Sequence, residues 1–199
     1  MLKNTQTFIF VGRSGSGKGT QLELLKKALL LKDQELSIKT VIMGEIFRNF
    51  FKESGYIQNI AHDVSMQQGK FQPDFLTNTL FIKETVNIID ENSILFFDGY
   101  PRNLNQLEVI KELLIYTKRQ KPIIINIEVK REEVRKRMLS RGRGDDNDKA
   151  IESRLDEYEK FIVPMFEKIK GDQFFEYLEI DGQGKVDDIH KNIINKLNF

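Results

Sequence analysis

The chain has 199 residues, 31% of them charged and 40% apolar, with a net charge of +1 and no cysteine. This is the composition of one globular domain with a substantial core; it excludes disulfides and thiolate metal sites, and the near-neutral balance argues against a general nucleic-acid or membrane-surface binder. No run of about 18 apolar residues exists and strand pattern starts within a few residues of Met1, so neither a transmembrane helix nor a signal peptide is expected, and a cytoplasmic location is.

The first element is Phe8-Ile9-Phe10-Val11, an unbroken apolar run suited to a strand buried on both faces of a parallel sheet. After it comes Gly12-Arg13-Ser14-Gly15-Ser16-Gly17-Lys18-Gly19-Thr20, and then Leu22, Leu25 and Leu29 at helical spacing. Glycines leave backbone N–H groups free to point into one concavity, and the helix that follows adds its own unpaired N–H groups and positive dipole end. Lys18 supplies a mobile charge that can follow a β/γ-phosphate. The stretch therefore predicts a polyphosphate cradle of the P-loop type. It departs from the strict pattern in one place, because Gly19 stands between Lys18 and the hydroxyl of Thr20.

Ser37 to Met43 reads as a second strand, broken by Gly44, with a helix following through Ile46, Phe47, Phe50 and Phe51. Arg48 on that helix has a plain reading as a partner of Glu45. Tyr56 to Gln68 reads as a polar-faced helix ending at Gly69. Pro73 is expected to open the next helix, with Phe75, Leu76, Leu80 and Ile82 as its buried face.

Ser93 to Phe97 is the third strand and runs into Asp98-Gly99-Tyr100-Pro101-Arg102. Ligands in open α/β sheets sit beyond the carboxyl ends of the strands, so Asp98 shares an edge with the glycine loop and can hold Mg²⁺ directly or through water. Asn103 and Gln106 form a near capping box, which makes Gln106 a helix-start device. Ile123 to Ile127 is the fourth strand, and Arg131 to Ser140 a helix carrying Glu133 and Arg137 as an i, i+4 pair. After Gly142-Arg143-Gly144-Asp145-Asp146-Asn147-Asp148 comes a long helix with Arg154 and the stripe Ile151, Leu155, Tyr158, Ile162 and Met165. Pro164 is expected to kink it or mark its last turns. Phe174 to Ile180 is the fifth strand, and Val186 to Leu197 the last helix. The arginines from Arg137 to Arg154 read either as surface charge neutralised by Asp145 and Asp146, or as guanidinium groups gathered for phosphate.

Taken together, the glycine loop, Gly44-x-x-x-Arg48, Gly69-x-x-x-Pro73-Asp74, Asp98-Gly99-Tyr100-Pro101-Arg102 with Gln106, and Arg143-x-Asp145-Asp146-Asn147 with Arg154 resemble the adenylate kinases. The resemblance covers essentially the whole chain. It implies an α/β P-loop kinase fold: a five-stranded parallel sheet flanked by helices, with a core of 1–42, 73–140 and 151–199, an acceptor-binding segment 43–72 and a very short lid 141–150, both of them mobile.

It also implies reversible phosphoryl transfer from ATP with Mg²⁺ to AMP, giving ADP, by a monomer that needs neither nucleic acid nor membrane. Donor binding would fall to Gly12, Ser14, Gly15, Ser16, Gly17, Lys18, Gly19 and Thr20, with Arg137 and Gly184 along the base and Arg141 from the lid. The acceptor would meet Met43, Gly44, Arg48, Lys70, Phe71, Gln72, Gly99, Tyr100, Arg102, Gln106, Arg143 and Arg154. Lys18, Arg102, Arg141, Arg143 and Arg154 would be catalytic, and Asp98 would hold the metal through water.

Met43 stands where these kinases carry Thr or Ser, Gln72 replaces a Val, and only Gly142 separates Arg141 from Arg143. Arg13 stands where they carry a small residue or proline. A UMP/CMP-type kinase and a low-turnover regulatory nucleotide binder are the alternatives. Gln106 speaks against the first, and the retained arginines against the second. A P-loop GTPase is disfavoured because no N-K-x-D motif is present.

Overall fold

The computed structural model describes residues 5–119, 121–142 and 146–198; Arg143, Gly144 and Asp145 lie outside them. Five strands, β1 (Thr7–Val11), β2 (Ser37–Ile42), β3 (Ser93–Asp98), β4 (Ile123–Glu128) and β5 (Glu176–Asp181), form one sheet in the order β2-β3-β1-β4-β5. Every pairing is parallel, with Phe10 in register with Asp98 and Ile125. The three inner strands are mostly apolar and buried almost throughout because helices cover both of their faces, whereas the edge strands β2 and β5 stay partly exposed.

One face packs Phe8, Phe10, Phe96 and Ile125 against α1 (Lys18–Lys32), α6 (Arg131–Arg141), α7 (Asp148–Glu157) and α9 (Val186–Lys196). The other packs Ile9, Leu95, Phe97 and Ile124 against α4 (Asp74–Ile88), α5 (Leu104–Tyr116) and α8 (Val163–Lys170). The remaining helices, α2 (Met43–Phe50) and α3 (Tyr56–His62), belong to the excursion between β2 and α4. No helix among the described residues is long and apolar enough to cross a membrane.

Several expected boundaries move. Met43 opens α2 instead of ending a strand, and Gly44 lies inside that helix's first turn, where it leaves room for the Arg48 guanidinium folding back over it. Pro73 is the extended cap before α4, not its first residue, and its carbonyl accepts from the Leu76 and Thr77 N–H groups. Phe75 is 65% exposed; the buried face of α4 is Leu76, Thr77, Phe81 and Thr85, the side that meets the sheet.

Both long helices expected beyond the strands are interrupted by π-helical turns, Asp63–Gln67 after α3 and Tyr158–Ile162 after α7. Pro164 stands in the first turn of α8, directly after the second of them, where its missing N–H is tolerated. β5 begins at Glu176 because Phe174 and Phe175 are taken up in a turn, the Phe174 N–H donating to Asp172.

Candidate active site

The glycine loop leaves β1 at Val11 and ends where α1 starts at Lys18. Gly12 is required by a close approach: a Cβ there would stand 2.6 Å from the Ile127 carbonyl oxygen and 2.9 Å from Ser16 Oγ. Gly17 caps α1 without any side-chain hydrogen bond, and a helix start of this kind, with its N–H groups and positive dipole end, is suited to an anion. Lys18 Nζ donates to the carbonyls of Gly12 and Arg13, each at 2.9 Å, which suspends the ammonium over the loop.

A hollow with two lobes opens at the carboxyl edge of the sheet. One lobe, about 710 Å³, is walled by Lys18, Gly19, Thr20, Asp98 and Arg137. The other, about 1000 Å³, is walled by Phe47, Phe51, His62, Lys70, Phe71 and Arg154. Ser14, Gly44, Arg48, Arg102 and Arg141 border both. Between them a cavity of about 30 Å³ is lined by Lys18, Arg102 and Arg154 together. Cations from α1, from the turn after β3 and from α7 thus converge on one space, although they are far apart in sequence.

Each arginine is held differently. Arg102 is aimed by its Nε, which donates to the Gly99 carbonyl at 2.9 Å, and by the Phe71 ring 4.9 Å beneath it. Burial lowers its pKa, Asp98 opposes that and the Arg154 charge adds to it; a guanidinium nonetheless stays protonated. Asp146, whose side chain is fully buried, accepts from Arg141 Nε at 2.6 Å and Nη2 at 3.0 Å, and from Arg154 Nη1 at 3.0 Å. The reading of Asp146 as a neutralising carboxylate is therefore realised, on the very arginines that line the hollow. Arg137 makes the expected pair with Glu133 at 3.0 Å and also reaches the Gly182 carbonyl. Arg48 makes no ion pair with Glu45 among the described residues; it projects over Gly44 into both lobes.

Gln106 is buried. Its N–H donates to Asn103 Oδ1 at 2.9 Å, its Oε1 accepts from the Arg102 N–H at 2.8 Å, and its Nε2 donates to Asp74 Oδ1 at 2.8 Å. The cap reading of this residue is thus present, with the carboxamide engaged inside the fold. Gln72 is engaged likewise, its Nε2 donating to the Ala61 carbonyl and to Ser65 Oγ. Tyr100 turns its ring into the core, stacked 3.7 Å from Phe81, with its hydroxyl on Asn78; its peptide to Pro101 is cis. Burial pushes the Tyr100 phenol pKa up.

Met43 is buried beneath Gly99. Lys70 and Phe71 line the larger lobe, and the Phe71 N–H donates to Glu157. Gly184 lies in the turn between β5 and α9, two residues past the carbonyl that Arg137 contacts. Arg143 lies outside the described residues.

Some contributors were not read from the sequence. Phe47, Phe51 and His62 wall the larger lobe, with Phe47 and Phe51 stacked at 5.8 Å and His62 edge-on to Phe51. Phe47 and Phe51 stand four residues apart, which signals a packed face but not which space that face borders. Asp74 collects amide donors from Asn103, Asn105 and Gln106 across the start of α5, a contact no local pattern announces.

The adenylate kinase family model matches residues 10–173. A protein named adenylate kinase from Corynebacterium urealyticum is 31% identical over 181 residues, covering 91% of this chain and 93% of the relative. One from Azobacteroides pseudotrichonymphae is 31% identical over 192 residues, covering 94% of each chain. Another from Prochlorococcus marinus is 33% identical over 177 residues, covering 89% of this chain and 91% of the relative.

Proposed function

The chain belongs to the adenylate kinase family, and on that premise we propose that it transfers a phosphoryl group reversibly from ATP to AMP, giving ADP. The observation that carries this reading is the small cavity that Lys18, Arg102 and Arg154 line together between the two lobes. Two polyanions brought end to end repel each other by about 4 kcal/mol per charge pair at 4 Å and an effective dielectric near 20. Cations reaching that junction from both sides offset the repulsion and compensate charge on the equatorial oxygens of the transferring group.

The donor lies in the smaller lobe, its phosphates on the N–H groups of Gly12 to Thr20 and on Lys18, with Arg137, Arg141 and the backbone near Gly184 on its far side. The acceptor lies in the larger lobe, its phosphate on Arg48, Arg102, Arg143 and Arg154. Met43, Gly44, Lys70, Phe71, Gln72, Gly99, the Tyr100 backbone and Gln106 form the acceptor's walls. Asp98 and Thr20, on the donor lobe, suit Mg²⁺, which keeps several waters and takes few protein ligands. Bound there with the donor phosphates, the ion would neutralise charge on the transferring group. Residues 43–72 and 141–150 act as the acceptor-binding segment and the lid around a core of 1–42, 73–140 and 151–199. We place the protein in the cytoplasm, as a monomer acting on free nucleotides without nucleic acid or membrane.

The test is to supply ATP·Mg²⁺ with AMP, UMP, CMP and GMP separately and resolve the products by chromatography. ADP formation with AMP as the preferred acceptor is expected. Preference for a pyrimidine monophosphate would move the chain to the UMP/CMP type, and nucleotide binding without turnover would make it a regulatory binder.

A further inference from the structure

Arg13 sits in the middle of the glycine loop, yet its side chain lines neither lobe. Gly12 and Ser14 on either side of it do border the small cavity, so the loop faces the hollow while this one side chain leaves from its back. It is buried, and it is held from several directions. Nη1 donates to Glu128 Oε1, at the end of β4, and to the Val129 carbonyl at 3.0 Å. Nη2 donates to Glu159 Oε1 at 2.6 Å, in the π-helical turn that follows α7. The guanidinium lies 4.5 Å from the centre of the Tyr158 ring, and the Tyr158 hydroxyl donates to the other oxygen of Glu128 at 3.3 Å.

The backbone of Arg13 works on the opposite side. Its carbonyl accepts from Lys18 Nζ and from the Ser16 N–H at 3.1 Å. The Tyr158 N–H, in turn, donates to the Arg154 carbonyl one helical turn earlier. A continuous path of hydrogen bonds and ring contact therefore runs from Lys18 through Arg13 to the turn of helix that presents Arg154. Both ends of this path line the same cavity.

We propose that Arg13 is a positioning residue for phosphoryl transfer: clamped between Glu128, Glu159 and Tyr158, it fixes the distance between the donor-side Lys18 and the acceptor-side Arg154. It touches no substrate itself. A planar fork with donors on both sides suits this task, since one guanidinium presents separate nitrogens to two carboxylates in a fixed geometry, which a flexible ammonium does not. The alignment of reacting groups is where phosphoryl transfer is most sensitive, so a loosened clamp acts on the transition state more than on nucleotide binding. The inference rests on the kinase reading above.

The test compares full-length wild type with Arg13→Ala, Arg13→Lys, Glu159→Gln and Arg13→Ala/Glu159→Gln, and with Lys111→Met as a control that breaks a remote ion pair to Asp172. Thermal midpoints, kcat, and KM for each nucleotide are measured well below the midpoints. Arg13→Ala is expected to lower kcat tenfold or more while KM for AMP stays within twofold, and Arg13→Lys to recover part of the loss. Glu159→Gln is expected to lower kcat severalfold, and to add almost nothing in the Arg13→Ala background. Lys111→Met is expected to shift the midpoint without changing kcat. An Arg13→Ala enzyme with a lower midpoint but unchanged kcat would make the clamp merely structural and overturn the proposal. If Arg13→Ala does not fold, an unchanged kcat in Glu159→Gln overturns it equally. Wild type without transfer activity would instead remove the kinase reading itself.

Discussion

Gln106 Nε2 donates to Asp74 Oδ1 at 2.8 Å, and this contact decides which way round the carboxamide sits. A carboxylate only accepts, so the amide nitrogen must face Asp74 and the amide oxygen must face the Arg102 N–H. Asp74 thereby ties the start of α4 to the turn that carries Arg102. Burial alone would raise its pKa, but hydrogen bonds from Asn103, Gln106 and Asn105 outweigh that and hold it below the usual 3.8.

A folded-state pKa below the unfolded value means that the stabilisation is fully present above about pH 4 and disappears as pH falls through the folded value. Asp74→Asn is therefore expected to flatten the loss of stability below pH 4, measured by urea denaturation across pH. Asp74→Ala leaves amide donors unpaired and is expected to cost about 1–3 kcal/mol. It should also raise KM for AMP more than KM for ATP. A wild-type acid slope in Asp74→Asn would detach this carboxylate from acid stability.

Lys18→Met removes the ammonium that hangs over the loop but keeps a stem of similar bulk. Transfer is expected to fall by about 10³-fold or more, with an unchanged circular dichroism spectrum. Near-normal turnover would take Lys18 out of the donor site.

Arg102→Ala strips a guanidinium that borders both lobes. We expect kcat/KM for AMP to drop by about 10³-fold or more while ATP affinity changes little, as read from separate binding titrations. Equal damage to both affinities would count against its acceptor-side role.

Gly69 has φ +65°, and a Cβ on it would stand 2.2 Å from the Ala150 carbonyl oxygen and 2.7 Å from Ala150 Cα. Backbone cannot yield as a flexible side chain does. Gly69→Ala is thus expected to destabilise the fold by about 1–3 kcal/mol or more, and to weaken AMP use by forcing the proposed acceptor segment off α7. Unaltered stability in denaturant would mean that this contact does not persist in solution.

Gly142 alone separates Arg141 from Arg143, which makes the proposed lid short. A smaller cover excludes less water, so measurable ATP hydrolysis without acceptor is expected. Robust transfer beside undetectable hydrolysis would reject this.

How much was legible follows from what is local. Phe8 to Val11 announces a doubly covered strand, and Gly12 to Thr20 announces an anion loop, because both meanings lie in adjacent residues. Strand boundaries slipped at Met43 and Phe174, where apolar residues continue past the last ladder partner. Phe75 faces solvent although it is apolar, because apolar character says that a side chain tends inward, not which way a particular helix turns. Arg13 had no account in the sequence, since its partners Glu128 and Glu159 are remote along the chain.

The sequence alone thus determined the parallel α/β sheet, the glycine loop between its first strand and helix, and the family, all of which rest on short patterns of glycine, apolar residues and charge. Only the tertiary structure decided where the charges end up. It brings Lys18, Arg102 and Arg154 to one cavity, engages Gln106 with Asp74, and turns Arg13 to the back of the loop. The physical reason is that ion pairs and hydrogen bonds across the fold depend on distances set by packing, and spacing along the chain does not encode those distances.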